Sequence, residues 1–192
     1  SMQSNPRPTR AETSDVANAI YDLTGCIMLS GECAMGKYPI ECVKVMNNIA
    51  LAIESDLNYT KRFDSTRFDH DLVDDSRHQA AYNAVETVLN ANADAIVCYS
   101  RTGRMAEFVS SMRTEAPVLV VTDNEKTYHK MSLIQGAQVV LVNTKLSANE
   151  MIEEGISKFE ENGTLEKGDK VVVVGTEAKL ANNRDFTCVI NI

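Results

Sequence analysis

Apolar positions along this chain change their period several times, and each change marks an element. Thr9 followed by Glu12 has capping-box spacing, with Pro8 just ahead, and Val16, Ala17 and Ile20 recur on one face; the pattern predicts a helix from about Thr9 to Tyr21. The apolar run Cys26 to Leu29 reads as a short strand. It leads into SGECAMGKYP, read as a glycine-punctuated loop, and from near Tyr38 the residues Ile40, Val43, Met46, Ile49, Ala50, Ile53 and Leu57 keep helical spacing. The first segment is therefore expected to run helix, strand, helix.

Between Asn58 and Asp75 the apolar periodicity stops and KRFDSTRFDHDLVDD takes its place, a charged stretch expected to be an exposed connection. The boundary falls there: residues 1–58, a linker at 59–75, and residues 76–192. Beyond it the chain alternates. Helices are expected at Arg77–Asn90, Gly103–Met112, Glu125–Ile134 and Ala148–Glu160, with strands at Ala95–Ser100, Val118–Val121, Val139–Val142, Lys170–Gly175 and Asp185–Ile190. Runs such as AIVCY, VLVV and VVVV suit strands buried on both faces, so the expected fold is α/β, an open, mostly parallel doubly wound sheet. The last two strands are joined by TEAKLANNRD, which has no helical pattern, and this points to a hairpin with an antiparallel edge strand.

A hydrophobic content of 44% over 192 residues is enough to build a core. The net charge of −8, from 19 Lys+Arg against 27 Asp+Glu, argues against a nucleic-acid binder and confines any anion site to a local cluster. Five cysteines form no CxxC and no zinc spacing; Cys26, Cys98 and Cys188 lie in apolar runs and read as buried thiols in a reducing, cytoplasmic setting, with no metal site. Apolar stretches such as Val171–Val174 fall far short of the roughly 20 residues of a membrane span. Ser1 and Met2 resemble the remnant of a cleaved tag, and the abrupt NPRPTRAE suggests a chain cut from a longer one.

Chemistry in a doubly wound sheet is expected at strand-to-helix turns, where helix amino termini offer free N–H groups and partial positive charge. The turn CYSRTGRMAEF gathers Ser100, Arg101, Thr102, Gly103 and Arg104, hydroxyls, a flexible glycine and two guanidinium groups that suit a phosphate. The competing reading is a capped helix start with solvated arginines. The turn VTDNEKT pairs Thr122 with Glu125 as a capping box and is read as structural. The loop Thr176–Arg184 is placed as a lid from which Lys179 and Arg184 reach a ligand at the first turn. His70, His78 and His129 accompany no nucleophile motif, and no catalytic pair emerges.

The segments Pro8–Glu12, Asp15–Ala19, Ile27–Glu32 and Gly36–Glu41 resemble the stretch of pyruvate kinase that holds the last helices and last strand of its (β/α)8 barrel, and ADAIVCYSRTGR, APVLVVTDNEKT and KGDKVVVVG are similar to its carboxy-terminal domain. The resemblance implies a fragment of a glycolytic phosphotransferase that moves a phosphoryl group from phosphoenolpyruvate to ADP. It also implies magnesium and potassium as cofactors and a homotetramer. It places the catalytic lysine, metal carboxylates and substrate arginine upstream of this chain, leaving an inactive piece in which Ser30, Gly31 and Glu32 edge an incomplete barrel site. It implies a sugar-phosphate or nucleotide effector at Ser100–Arg104. Met105 stands where the family often has a hydroxyl, however, and the last loop is poor in glycine, so a degenerate site stays open. A stand-alone phosphate-ligand domain and a purely structural interaction module are the readings from other classes.

Overall fold

A computed structural model of the chain describes residues 1–59, 63, 76–179 and 182–192. The chain divides into two compact units, Ser1–Asn58 and Tyr59–Ile192. Of the charged stretch 59–75, only Tyr59 and Phe63 are described, and His70 lies outside the described residues.

In the first unit, helix α1 spans Arg10–Tyr21 and carries the expected capping box: Thr9 Oγ1 accepts from the Glu12 backbone N–H at 3.3 Å, and the Thr9 N–H donates to Glu12 Oε2 at 2.7 Å. Helix α2 is a single turn, Gly31–Ala34, inside the stretch expected to be loop. Helix α3 spans Pro39–Glu54, with Pro39 in the first turn where its missing N–H costs nothing. The Tyr21 hydroxyl donates to Asp56 Oδ2 at 2.8 Å and ties the end of α1 to the residues beyond α3. Met2 is buried, and the Lys37 N–H donates to the Gln3 carbonyl at 2.8 Å, so the first residues fold into this unit.

The strand expected at Cys26–Leu29 does not form. A strand is completed by a neighbour's N–H and C=O groups, and the described residues of this unit contain no second strand to supply them. Cys26 is accordingly exposed rather than buried. Met28, Met35, Ile40, Val43 and Leu51 are exposed as well, so the unit leaves much of its apolar surface uncovered.

The second unit is built on five strands: β1 Ala95–Tyr99, β2 Val118–Thr122, β3 Ala137–Leu141, β4 Lys170–Lys179 and β5 Asn182–Asn191. Their spatial order is β3-β2-β1-β4-β5, parallel throughout except for the antiparallel β4–β5 edge pair. Helix α4 (Ser76–Ala91) leads into β1, and helices α5 (Arg104–Ser111), α6 (Glu125–Met131) and α7 (Ala148–Glu161) fill the three crossovers. Every residue of β1 and β2 is buried, as continuous apolar runs in a parallel sheet require.

Strand alternation divides the core into two layers. Ile96, Cys98, Val118, Val120, Val172 and Val174 meet Val85, Val109 and Met131 from α4, α5 and α6. Val97, Tyr99, Leu119, Val121, Val171 and Val173 meet Ile152, Ile156 and Phe159 from α7. Phe63 joins the first layer, its ring 5.0 Å from that of Tyr82.

Two expectations in this unit are corrected. The loop expected over Thr176–Arg184 is mostly ladder, because β4 and β5 continue in register through Thr176↔Asp185, Glu177↔Arg184 and Lys179↔Asn182. Cys188, on the edge strand, is exposed, whereas Cys98 is buried and its thiol pKa is pushed up by desolvation.

Helix α7 approaches the sheet at Gly155, where an added Cβ would sit 2.3 Å from Val121 Cγ2 and 2.7 Å from Cγ1. Alanine favours a helix by about 1 kcal/mol over glycine, but overpacking a close-packed layer costs about 1–3 kcal/mol. Gly155→Ala is therefore expected to lower the urea midpoint, and a variant as stable as the parent or more so would contradict the packing.

Candidate functional site

Strand order reverses at β1: β2 lies on one side and β4, reached only after β3, on the other. The crevice beyond the carboxyl end of β1 is thus the topological switch point where open α/β sheets take ligands. A cavity of about 400 Å3 lies there. The β1–α5 turn lines it from Tyr99 to Thr102 and again with Arg104 and Met105; α4 contributes Ser76 and Arg77, and the hairpin contributes Thr176 and Asp185.

The turn is built to expose donors. Gly103, the N-cap of α5, has φ +82°, a left-handed backbone that calls for glycine, and it packs beside Met131. The Glu107 N–H makes its helical bond to the Gly103 carbonyl at 3.0 Å. The N–H groups of Arg104, Met105 and Ala106 precede that bond and have no carbonyl of their own helix to meet. Ser100 is 8% exposed, its N–H donates to the Val121 carbonyl at 3.0 Å, and its hydroxyl lines the cavity with no hydrogen-bond partner among the described residues.

The two arginines of the turn have different roles. Arg101 grips Asp123 at the end of β2, with one terminal nitrogen 2.7 Å from Oδ2 and Nε 3.1 Å from Oδ1. The Asp123 side chain is 1% exposed and that of Arg101 is 64% exposed, so the carboxylate is buried under its cation. Thr127 Oγ1 from α6 donates to the Arg101 carbonyl at 2.7 Å and fixes the backbone of the same residue. Arg101 therefore clamps the turn to the next strand-to-helix connection. Arg104 is exposed, lines the cavity and makes no ion pair with any described residue. Thr102 is exposed beside it, whereas Met105, 2% exposed, packs in the core.

The clamp also corrects the capping expectation at VTDNEKT. Thr122 is still in β2, and it is Asn124 that caps α6, its Oδ1 accepting from Lys126 N–H at 2.9 Å and Thr127 N–H at 3.2 Å. Thr122 Oγ1 instead accepts from the Asn124 N–H at 3.3 Å.

Sequence reasoning missed Ser76, Arg77, Thr176 and Asp185. The Asp185 carboxylate accepts from Ser76 Oγ and from Thr176 Oγ1, each at 2.5 Å. Thr176 and Asp185 are directly opposed across the ladder, so their side chains share a face; only the hairpin register, invisible while the segment was read as loop, could have revealed this. Of the expected lid pair, Arg184 is an exposed residue of β5 and Lys179 is the last residue of β4.

Elsewhere, Ser30 and Gly31 sit at the start of α2, and hydrogen bonds from the N–H groups of Glu32 itself and of Ser30 lower the Glu32 carboxyl pKa. His78 packs edge-on against Phe108, and His129 against Tyr128. Among the described residues no three His, Cys, Asp or Glu side chains gather as metal ligands, and no helix is long and apolar enough to cross a membrane.

If Arg101 is a clamp and Arg104 is not, their alanine variants separate in urea unfolding. Arg101→Ala, which strands a buried carboxylate, is expected to cost about 1–3 kcal/mol, and Arg104→Ala to change stability by less than about 0.5 kcal/mol. The reverse order would overturn the assignment.

Comparison with known proteins places this site in a family. Residues 78–190 match the family model described as pyruvate kinase, alpha/beta domain, and residues 1–43 match pyruvate kinase, barrel domain. The pyruvate kinase of Bacillus licheniformis is 40% identical over 175 residues, and that of Eimeria tenella 36% identical over 174. These alignments cover 90% and 91% of this chain but only 29% and 33% of the two relatives. The solved structure of Cryptosporidium parvum pyruvate kinase in complex with ADP matches with a TM-score of 0.83 at 25% identity, over 99% of this chain and 38% of that one. With the α/β-domain match spanning more than half of its residues, the chain belongs to the pyruvate kinase family.

Proposed function

We propose that the chain is the carboxy-terminal part of a pyruvate kinase, the phosphotransferase that moves the phosphoryl group of phosphoenolpyruvate to ADP. Residues 1–58 are the end of the catalytic barrel, 59–75 a linker and 76–192 a regulatory and oligomerisation domain of a cytoplasmic tetramer. Matches to the barrel model at one end and the α/β model at the other support this order, as do the exposed Met28, Met35, Ile40, Val43 and Leu51, which a complete barrel would cover. On this reading the catalytic lysine and the ligands of magnesium and potassium belong to the parent outside this chain. Ser30, Gly31 and Glu32 then edge an active site completed only by other strands.

The second unit holds the phosphate of a sugar-phosphate or nucleotide effector. The observation that carries this reading is the Ser100 hydroxyl, without a hydrogen-bond partner among the described residues and lining a switch-point cavity beside Arg104 and the amino terminus of α5. A phosphate supplies the acceptors that Ser100, Thr102, Arg104 and the leading N–H groups of α5 lack.

Two measurements test the two parts. In a coupled assay with phosphoenolpyruvate, ADP, magnesium and potassium the chain is expected to form no pyruvate; magnesium-dependent turnover would refute the assignment of the chemistry to the missing part. In calorimetric titration with methyl phosphate, Arg104→Ala is expected to weaken binding about tenfold or more, as loss of a charge-assisted pair does. Equal binding by parent and variant, or none by either, would refute the effector site.

A further inference from the structure

The cavity at the end of β1 has two chemical characters. Ser100, Thr102, Arg104 and the leading N–H groups of α5 offer donors and positive charge to an anion. The hairpin residues offer the opposite. The Ser76 and Thr176 hydroxyls each have a single proton, and both donate it to Asp185 at 2.5 Å. Neither hydroxyl then has a proton left for a phosphate. What remains at this end is a set of acceptors: the unused lone pairs of a charged carboxylate and the two hydroxyl oxygens. The arrangement is held from three elements, the start of α4, the end of β4 and the start of β5, so it belongs to the fold rather than to one mobile side chain. A second phosphate placed here meets a like charge and no free hydroxyl donor, whereas a ligand hydroxyl finds acceptors waiting for its proton. Arg77, next to Ser76, also lines the cavity and is engaged in an interaction of its own.

We propose that Asp185 sets the ligand class of this cavity: it selects a monophosphate whose other end carries hydroxyl groups, a sugar or nucleoside monophosphate, and excludes bisphosphates. The proposal rests on the reading that the Ser100–Arg104 end holds a phosphate. Within that reading it makes the hairpin the part that discriminates, through hydrogen bonds to ligand hydroxyls and repulsion of a second anion.

Calorimetry on the whole 192-residue chain with three probes tests it. Methyl phosphate reports the phosphate end alone, glucose 6-phosphate adds hydroxyls, and glucose 1,6-bisphosphate adds a second anion. The chain is expected to bind glucose 6-phosphate about tenfold or more tightly than either other probe, since juxtaposed like charges and unmet acceptors both suppress the wrong partner. Asp185→Asn, close in shape but uncharged, is expected to narrow the preference over the bisphosphate to about twofold while still binding methyl phosphate at least as tightly as the parent, which also shows that the variant is folded at the site. A parent chain that binds the bisphosphate as tightly as the monophosphate overturns the proposal, and this comparison stands even if the variant does not fold. So does a folded variant that keeps the full preference. Binding of methyl phosphate without discrimination among the sugars defeats the role of Asp185 alone; failure of all three probes to bind defeats the phosphate site itself, and the proposal with it.

Discussion

Burial of β1 on both faces is the constraint from which the second unit follows. With Ala95 through Tyr99 buried and hydrogen-bonded to β2 on one side and β4 on the other, neither face nor edge of this strand can carry polar chemistry. Helices must cover both faces, and the chain turns polar only where it leaves the sheet, at Ser100. The backbone of that turn is fixed by Thr127 from α6 and its guanidinium by the buried carboxylate of Asp123, and its glycine packs beside Met131. What these contacts leave unsatisfied, the Ser100 hydroxyl, Arg104 and the first N–H groups of α5, is what a ligand would engage.

The clamp changes the meaning of a turn with two arginines. A pair of guanidinium groups in a phosphate-like turn invites a bidentate reading, yet one of them is committed to the scaffold. A carboxylate that is 1% exposed cannot release its cation without being left charged in a low-dielectric interior. The division gives the cavity a fixed wall, formed by Arg101 and its partners, and a free charge, Arg104, to meet a ligand. Asp185 completes it with a negative end, so the cavity discriminates by polarity along its length as well as by charge at one point.

Much of the fold could be read from periodicity, because β1, β2 and the first half of β4 are largely apolar runs and α1 opens with a capping box. The failures have physical causes. Cys26–Leu29 is apolar enough for a strand but has no described partner, and pairing is not a local property. The hairpin from Thr176 to Arg184 is polar, so its residues showed no alternation although the backbone ladder holds them in register. At the site, the β1–α5 residues could be found because they are contiguous in sequence. Ser76, Thr176 and Asp185 come from three separate elements, and only strand order and register bring them to one cavity. Arg101 and Arg104 look alike in sequence; burial of Asp123 is what separates them.

The claim on which the rest turns is that an anion sits at the carboxyl end of β1. Amide-resolved NMR of the chain titrated with inorganic phosphate tests it most directly, because each unpaired donor reports its own environment. The account predicts saturable shifts concentrated at Ser100, Thr102 and the amides of Arg104, Met105 and Ala106, with the α7 face of the sheet unmoved. Shifts spread over exposed lysines and arginines without saturation, or none at the turn, would contradict it.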